Sequence, residues 1–290
     1  MNYLTGQASY MDVVERELYN GALSGVSLAG EQYFYTNHLS TEAEHRRRDW
    51  CGIGTKHKGT PCCPPMFLKL QGALPSFIYA TRQKELFVNL YIGSEVSINL
   101  DDSPLTIKQT TAYPWEGTVK LELRLPEPAN FALKFRVPGW ARAFTINING
   151  EPSLDFNLIA GYAHLERLWQ SGDTIEIQMP MPVERVKADS RVKANQGRVA
   201  LMRGPIVYCF EGLDNKGHSK NLILLDTETQ ASFKADLLRG IVVIQGKAQC
   251  SDEINGKAGE TLTCTAIPFF ANNNREPTTM DVWVLDTPGS

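Results

Sequence analysis

From Leu86 onward the chain is built of short runs that alternate apolar and polar positions or stay apolar throughout, such as Leu86-Phe87-Val88-Asn89-Leu90-Tyr91, Val119-Lys120-Leu121-Glu122-Leu123-Arg124-Leu125 and Phe131-Ala132-Leu133-Lys134-Phe135-Arg136-Val137. A period of two puts alternate side chains on one face of a strand, and the Gly, Pro, Asn and Asp residues between the runs supply turns. Thr145-Ile146-Asn147-Ile148-Asn149 meets such a turn at Gly150-Glu151-Pro152. Thr174-Ile175-Glu176-Ile177-Gln178-Met179 is stopped by Pro180 and Pro182, which mark a domain boundary near residue 183. A second set of strands follows, including Val199–Met202, Ile206–Phe210, Gly240–Ile244 and Met280–Val284. The turn spacing is that of β-sandwiches.

Before Leu86 the period is helical. Tyr10, Val13, Val14, Leu18 and Ala22 recur at spacings of three and four, with Asp12, Glu15, Arg16 and Glu17 between them, until Gly21 and Gly25 weaken the pattern. Glu31–Thr36 reads as extended, and the polar run from Glu42 to Arg48 reads as an exposed loop. The turn Cys62-Cys63-Pro64-Pro65 then opens a helix through Met66, Phe67, Leu70, Leu74 and Ile78, broken once by Pro75. The expected fold is therefore mainly β: sandwiches over residues 80–183 and 184–290, preceded by a helical segment over residues 1–79.

Composition narrows the class of partner. A chain of 290 residues with 42% apolar positions can bury a large core and divides into about two domains. Its 29 basic and 32 acidic residues leave a formal charge of -3, too little field to hold a nucleic acid. No apolar run reaches the roughly 18 residues of a membrane span. A soluble protein is expected. The start, Met1-Asn2-Tyr3-Leu4-Thr5-Gly6, lacks the basic and apolar segments of a secretory leader, which leaves the compartment open.

Six cysteines are too few for a disulfide scaffold of this length. Cys209, Cys250 and Cys264 are scattered among strands and read as small buried apolar residues. Cys62 and Cys63 differ, because adjacent side chains in an irregular segment cannot both enter one core. A zinc ion would hold both as thiolates and fix a loop that has little core of its own. Zinc takes four ligands, and Cys51 and His57 are the nearest further candidates in the chain. Against that set, Cys51 beside Trp50 reads equally as buried, and His57 between Lys56 and Lys58 as solvated.

The segment Thr60-Pro61-Cys62-Cys63-Pro64-Pro65, followed by an apolar helix and Ile78-Tyr79-Ala80-Thr81, resembles the signature of the β-L-arabinofuranosidase family. Five further segments fall in that family's order: Val14–Asn20, Tyr33–Asn37, Phe135-Arg136-Val137-Pro138-Gly139-Trp140, Val199–Pro205 and Ala266–Arg275. The resemblance covers essentially the whole chain, matched to the C-terminal part of longer proteins. It implies an (α/α)6 barrel, of which residues 1–79 would be the last helices, followed by two sandwiches. It also implies retaining hydrolysis of a β-L-arabinofuranoside or a related unusual sugar, with zinc as cofactor and a carbohydrate as partner. Cys62 would be the nucleophile, Cys62 and Cys63 metal ligands, and Glu15 and Tyr35 substrate-binding residues. A glutamate acid/base and two more zinc ligands would lie upstream of this chain. The family position after the Cys-Cys-Pro-x turn is usually Asn, whereas Met66 stands here. A homodimer and a bacterial cytoplasmic or periplasmic location remain open on this reading.

Two other functions fit the same residues. A carbohydrate-binding module would stack sugars on Trp115, Trp140 or Trp169, although sandwich tryptophans more often pack. A structural zinc loop would close its site with Cys51, His57, Cys62 and Cys63.

Overall fold

The computed structural model describes residues 1–34, 36–43, 62–101, 103–153, 156–251 and 258–287, with residues 51–52, 251 and 258 described by their backbone alone. The chain divides into two compact units, Met1–Glu15 with Leu68–Met181, and Arg16–Phe67 with Pro182–Ser290. The N-terminal helical segment is thus shared between both units.

The first unit carries two sheets in a sandwich-like arrangement. One is fully antiparallel and six-stranded, in the order Glu151–Ser153, Thr145–Ile148, Thr174–Gln178, Thr118–Arg124, Ser103–Thr111, Ser94–Leu100. Alternation is clean in its centre: Val119, Leu121 and Leu123 are buried while Lys120 and Arg124 are exposed. Ladder neighbours extend the same apolar face, with Ile175 opposite Leu121, Ile177 opposite Val119 and Ile107 opposite Leu123. At one edge, Asn149 and Gly150 both take positive φ, the backbone that a two-residue hairpin turn needs to match strand twist. Pro152 sits on that edge strand, where no ladder donor is required of it.

The other sheet is five-stranded, in the order Asn157–Ile159, Tyr162–Trp169, Ala129–Arg136, Glu85–Val88, Tyr79–Arg82. Glu85–Val88 runs parallel to Ala129–Arg136, and the other pairs are antiparallel. Phe131, Leu133 and Phe135 point to one face and enter the core. Trp169 is fully buried with its indole N–H donated to Phe131 O at 3.0 Å, so it is a packing residue and no sugar platform. The opposite face carries Ala132, Lys134 and Arg136, and these are buried as well.

The second unit joins ten strands in one hydrogen-bonded set. The path runs Val183–Val186, Arg198–Arg203, Val284–Asp286, Leu222–Leu224, Ile241–Ser251, Ala258–Pro268, Ile206–Glu211, Met280–Asp281, Ser40–Thr41, and Gln230–Lys234 pairs with Ile241–Ser251. Arg198–Arg203 also pairs with Ile206–Glu211, which joins two distant points of that path. Cys209 and Cys264 are buried in this set, as their scattered positions suggested, and Cys250 is half-buried.

Helices cluster where the 3.6-residue period places them. Ser9–Arg16 is α-helical, continues as a π-helix over Glu17–Ala22 and closes as a 3-10 turn over Leu23–Gly25. Cys63–Ala73 and Pro75–Ile78 form the second pair, separated at Leu74 by the proline. The buried face of the first helix differs from the one its apolar residues describe. Val13 is 60% exposed, whereas Met11 and Glu15 are buried. Among the described residues no helix is long and apolar enough to cross a membrane.

Candidate active site

Cys62 directly precedes the helix Cys63–Ala73, and Cys63 is its first residue. Pro64 and Pro65 stand in the first turn, where backbone N–H groups have no intrahelical acceptor to lose. This is why a double proline starts the helix here without breaking it. Cys62 is exposed, Cys63 is half-buried, and their Sγ atoms are 3.8 Å apart. Two thiolates held at about 2.3 Å on a tetrahedral zinc would lie about 3.8 Å from each other, so the pair fits two corners of such a site. Among the described residues no group of three or more His, Cys, Asp or Glu side chains could hold a metal. The Cys51 side chain and His57, the local candidates for the remaining corners, lie outside the described residues, as does Tyr35.

Glu15 lies in the first unit, on the helix Ser9–Arg16, and is only 1% exposed. Its Oε1 accepts from Arg136 Nη2 and from Tyr113 OH at 2.5 Å, and its Oε2 accepts from Trp140 Nε1 at 3.1 Å. One turn earlier, Asp12 Oδ1 accepts from Arg136 Nη1 at 2.6 Å and from Gly139 N at 3.2 Å. Arg136 Nε donates to Asn89 O at 2.5 Å, and Tyr91 donates its hydroxyl to Arg136 O. A guanidinium that is 0% exposed thus has two carboxylates and a carbonyl around it, the arrangement that makes a buried charge tolerable. Burial by itself would lower the Arg136 pKa. The Glu15 charge, with smaller contributions from Tyr113 and Tyr91, outweighs burial and holds it above its ordinary value.

The helix is seated by backbone contacts too. Ala8 N donates to Ala160 O at 2.9 Å, and Ala8 rests on Gly161, where an added Cβ would stand 2.6 Å from the alanine methyl. Gly161 has φ +82°, so a side chain there would be strained twice over. At Gly139 an added Cβ would come within 3.0 Å of Asp12 Oδ2.

In the second unit the π-helical turn presents Asn20. Its Nδ2 donates to Pro205 O and to Arg16 O, each at 2.8 Å, and its Oδ1 accepts from Val207 N at 2.8 Å. Leu28 N donates to Asn274 Oδ1 at 2.8 Å. Segments singled out for their family order thus meet in anchoring contacts: the one holding Arg136 receives Asp12 and Glu15, that of Pro205 receives Asn20, and that of Asn274 receives Leu28.

Sequence reasoning missed Arg136, Asp12 and Asn20. Strand alternation sends Lys134 and Arg136 toward solvent, and only the pairing of a basic strand end with acids at positions i and i+3 of a helix, Asp12 and Glu15, signalled that this face would be covered. Trp140 is half-buried with its N–H committed to Glu15, and Trp115 is half-buried.

Three consecutive profiles of one family match nearly the whole chain: the β-L-arabinofuranosidase GH127 catalytic domain over residues 1–76, its middle domain over 85–181, and the glycoside hydrolase family 127 C-terminal domain over 183–285. The chain belongs to the GH127 β-L-arabinofuranosidase family. A non-reducing end β-L-arabinofuranosidase of Bifidobacterium longum subsp. longum is 34% identical over 307 aligned positions, covering 94% of this chain and 45% of that protein. The crystal structure of a GH127 β-L-arabinofuranosidase from Geobacillus stearothermophilus T6 superposes with a TM-score of 0.92 at 39% identity, covering 99% of this chain and 48% of the other. A second GH127 β-arabinofuranosidase structure gives 0.89 at 33% identity, covering 99% and 47%. The chain spans about half the length of these relatives. Within the GH127 frame, Cys62, Cys63, Glu15 and Asn20 lie in the catalytic-domain segment, Tyr113, Arg136 and Trp140 in the middle domain, and Pro205 and Asn274 in the C-terminal domain.

Proposed function

We propose that this chain is the C-terminal part of a retaining glycoside hydrolase acting on β-L-arabinofuranosides or a closely related sugar, with Cys62 as nucleophile and Cys62 and Cys63 as ligands of a zinc ion. The observation that carries the reading is the 3.8 Å Sγ pair at a helix start inside the catalytic-domain segment. Bound zinc would supply one thing, a thiolate stable at neutral pH. The helices of residues 1–79 belong, on this reading, to the end of an (α/α)6 barrel, and residues 80–183 and 184–290 are its two β domains.

The reaction needs two displacements. The Cys62 Sγ electron pair forms a bond to the anomeric carbon while the glycosidic C–O bond breaks, and the leaving oxygen takes a proton from a glutamic acid supplied by the upstream part of the catalytic domain. Water then attacks the same carbon, the C–S bond breaks, its electron pair returns to Sγ, and the glutamate takes a proton from the water. Two inversions give retention. Tyr35, by the family resemblance, would hydrogen-bond a sugar hydroxyl. Glu15, which the resemblance also placed there, has three hydrogen bonds within its own unit, which support an anchoring role.

A general acid is worth about 10²–10⁴-fold in rate. The isolated chain is therefore expected to show no measurable hydrolysis of an aryl β-L-arabinofuranoside, while a complete enzyme ending in this chain turns it over with retention at the anomeric carbon. In that enzyme Cys62→Ala abolishes turnover and leaves both units folded by circular dichroism. Undiminished turnover by the Cys62→Ala enzyme, or inversion at the anomeric carbon, contradicts the proposal.

A further inference from the structure

The first unit contains an ion network that joins two segments of different family domains. Asp12 and Glu15 come from the catalytic-domain segment, and Arg136, Gly139, Trp140 and Tyr113 come from the middle domain. We infer that Arg136 is a positioning residue for the catalytic-domain segment: through Asp12 and Glu15 it fixes the orientation of the helix Ser9–Arg16, and the middle domain acts as the seat of that helix. The inference rests on the proposed function for its catalytic consequence and on geometry alone for the seat itself.

Three observations carry it. First, a packed sandwich does not need the network. Phe131, Leu133 and Phe135 already fill the core from the other face of the same strand, so Arg136 serves the covered face alone. Second, a buried guanidinium fixes direction as well as position. Its planar fork meets Asp12 on Nη1 and Glu15 on Nη2, two carboxylates one helical turn apart, and these two contacts set both the rotation and the height of the helix. Third, the same helix is held at its start by Ala8 on Gly161 and by Ala8 N to Ala160 O, so the seat spans its whole length.

Carboxylate arithmetic assigns Glu15 its part. An ionised carboxylate accepts about four hydrogen bonds. Oε1 has Arg136 and Tyr113, and Oε2 has Trp140, in a side chain shielded from solvent. Glu15 is thus the helix-side half of the latch, and it ties Trp140 and Tyr113, whose rings lie 6.3 Å apart, to the same point.

The test uses three variants in the 290-residue chain and in a complete enzyme ending in it: Arg136→Lys, Glu15→Gln and the milder Tyr113→Phe. Hydrogen exchange read by mass spectrometry reports the seat. Exchange of the amides in residues 9–16 is expected to rise at least tenfold in Arg136→Lys and in Glu15→Gln and less in Tyr113→Phe, while the core strands Thr118–Arg124 and Thr174–Gln178 keep their protection. A merely structural role would loosen those strands together with the helix, and that result overturns the inference. So does unchanged protection of residues 9–16. In the complete enzyme the expectation is a fall in kcat of about tenfold or more with KM nearly constant for Arg136→Lys and Glu15→Gln, and a smaller fall in kcat for Tyr113→Phe. A loosened helix with kcat unchanged also overturns the positioning role. If the unmodified complete enzyme hydrolyses no arabinofuranoside, the proposed function fails, and the exchange measurement still decides whether the seat exists.

Discussion

Replacing Asn20 by alanine removes a side chain whose three hydrogen bonds tie the π-helical turn to the backbone of the Pro205–Val207 segment in the second unit. Asn20 is buried, and so is Pro205. The Val207 N–H and Pro205 C=O, left without a partner, cost about 2 kcal/mol for each of those two groups. Alanine returns about 0.6 kcal/mol through its better helix propensity. The balance is a loss of about 3 kcal/mol, equivalent to roughly 10²-fold in a local opening equilibrium. Amide exchange at Val207 and across residues 17–25 should therefore accelerate by about that factor, while the first unit's Thr118–Arg124 strand is unaffected. Asn20→Asp should be worse than Asn20→Ala, because it keeps the acceptor for Val207 but aims an anion at the Pro205 and Arg16 carbonyls. Unchanged protection at Val207 in Asn20→Ala would refute the anchoring role.

Further outcomes follow from burial and charge. Burial pushes the Cys264 thiol up to about 11, so the unfolded thiol releases its proton at lower pH than the folded one. Its effect on stability is absent below about pH 9 and grows as pH rises toward 11, and urea midpoints should fall over that window more steeply in the native chain than in Cys264→Ala. Gly161→Ala sets a methyl against Ala8 at a left-handed φ and should lower the thermal midpoint by several degrees, with earlier exchange of the Ala8 amide. Iodoacetamide should label Cys62 first and leave Cys209 and Cys264 unmodified until the chain is unfolded, read by peptide mass spectrometry.

Much of the fold was legible because periodicity is a local property. The change from a helical to a two-residue period falls where the structure places its last α-helix, at Ile78, and its first long strands. Pro75 breaks the helix, and the Asn149-Gly150 turn pairs Ile148 with Glu151. Partner-dependent burial was illegible. Arg136 and Lys134 alternate with Phe131, Leu133 and Phe135 as outward-facing charges would, and nothing local shows that a helix from far upstream in the chain receives Arg136. The first helix failed for the matching reason: its apolar residues point to Val13, but the surface that receives it is a charge network, so Glu15 goes inside and Val13 stays out. The two-residue strand Ser40–Thr41 is too short for any period to mark. At the candidate site the Cys62 and Cys63 adjacency was readable by itself, whereas a complete ligand set depends on residues brought from elsewhere in the chain.

The most direct test of the catalytic claim is to find where the sugar is attached during turnover. A complete enzyme ending in this chain would be quenched in acid during hydrolysis of an aryl β-L-arabinofuranoside and digested, and its peptides weighed. The expected result is one pentosyl adduct on the peptide containing Cys62, absent when Cys62 is changed to Ala and retained at reduced yield when Cys63 is changed to Ser. An active enzyme with the adduct on a carboxylate, or turnover that persists in Cys62→Ala, would contradict the assignment of Cys62 as the nucleophile.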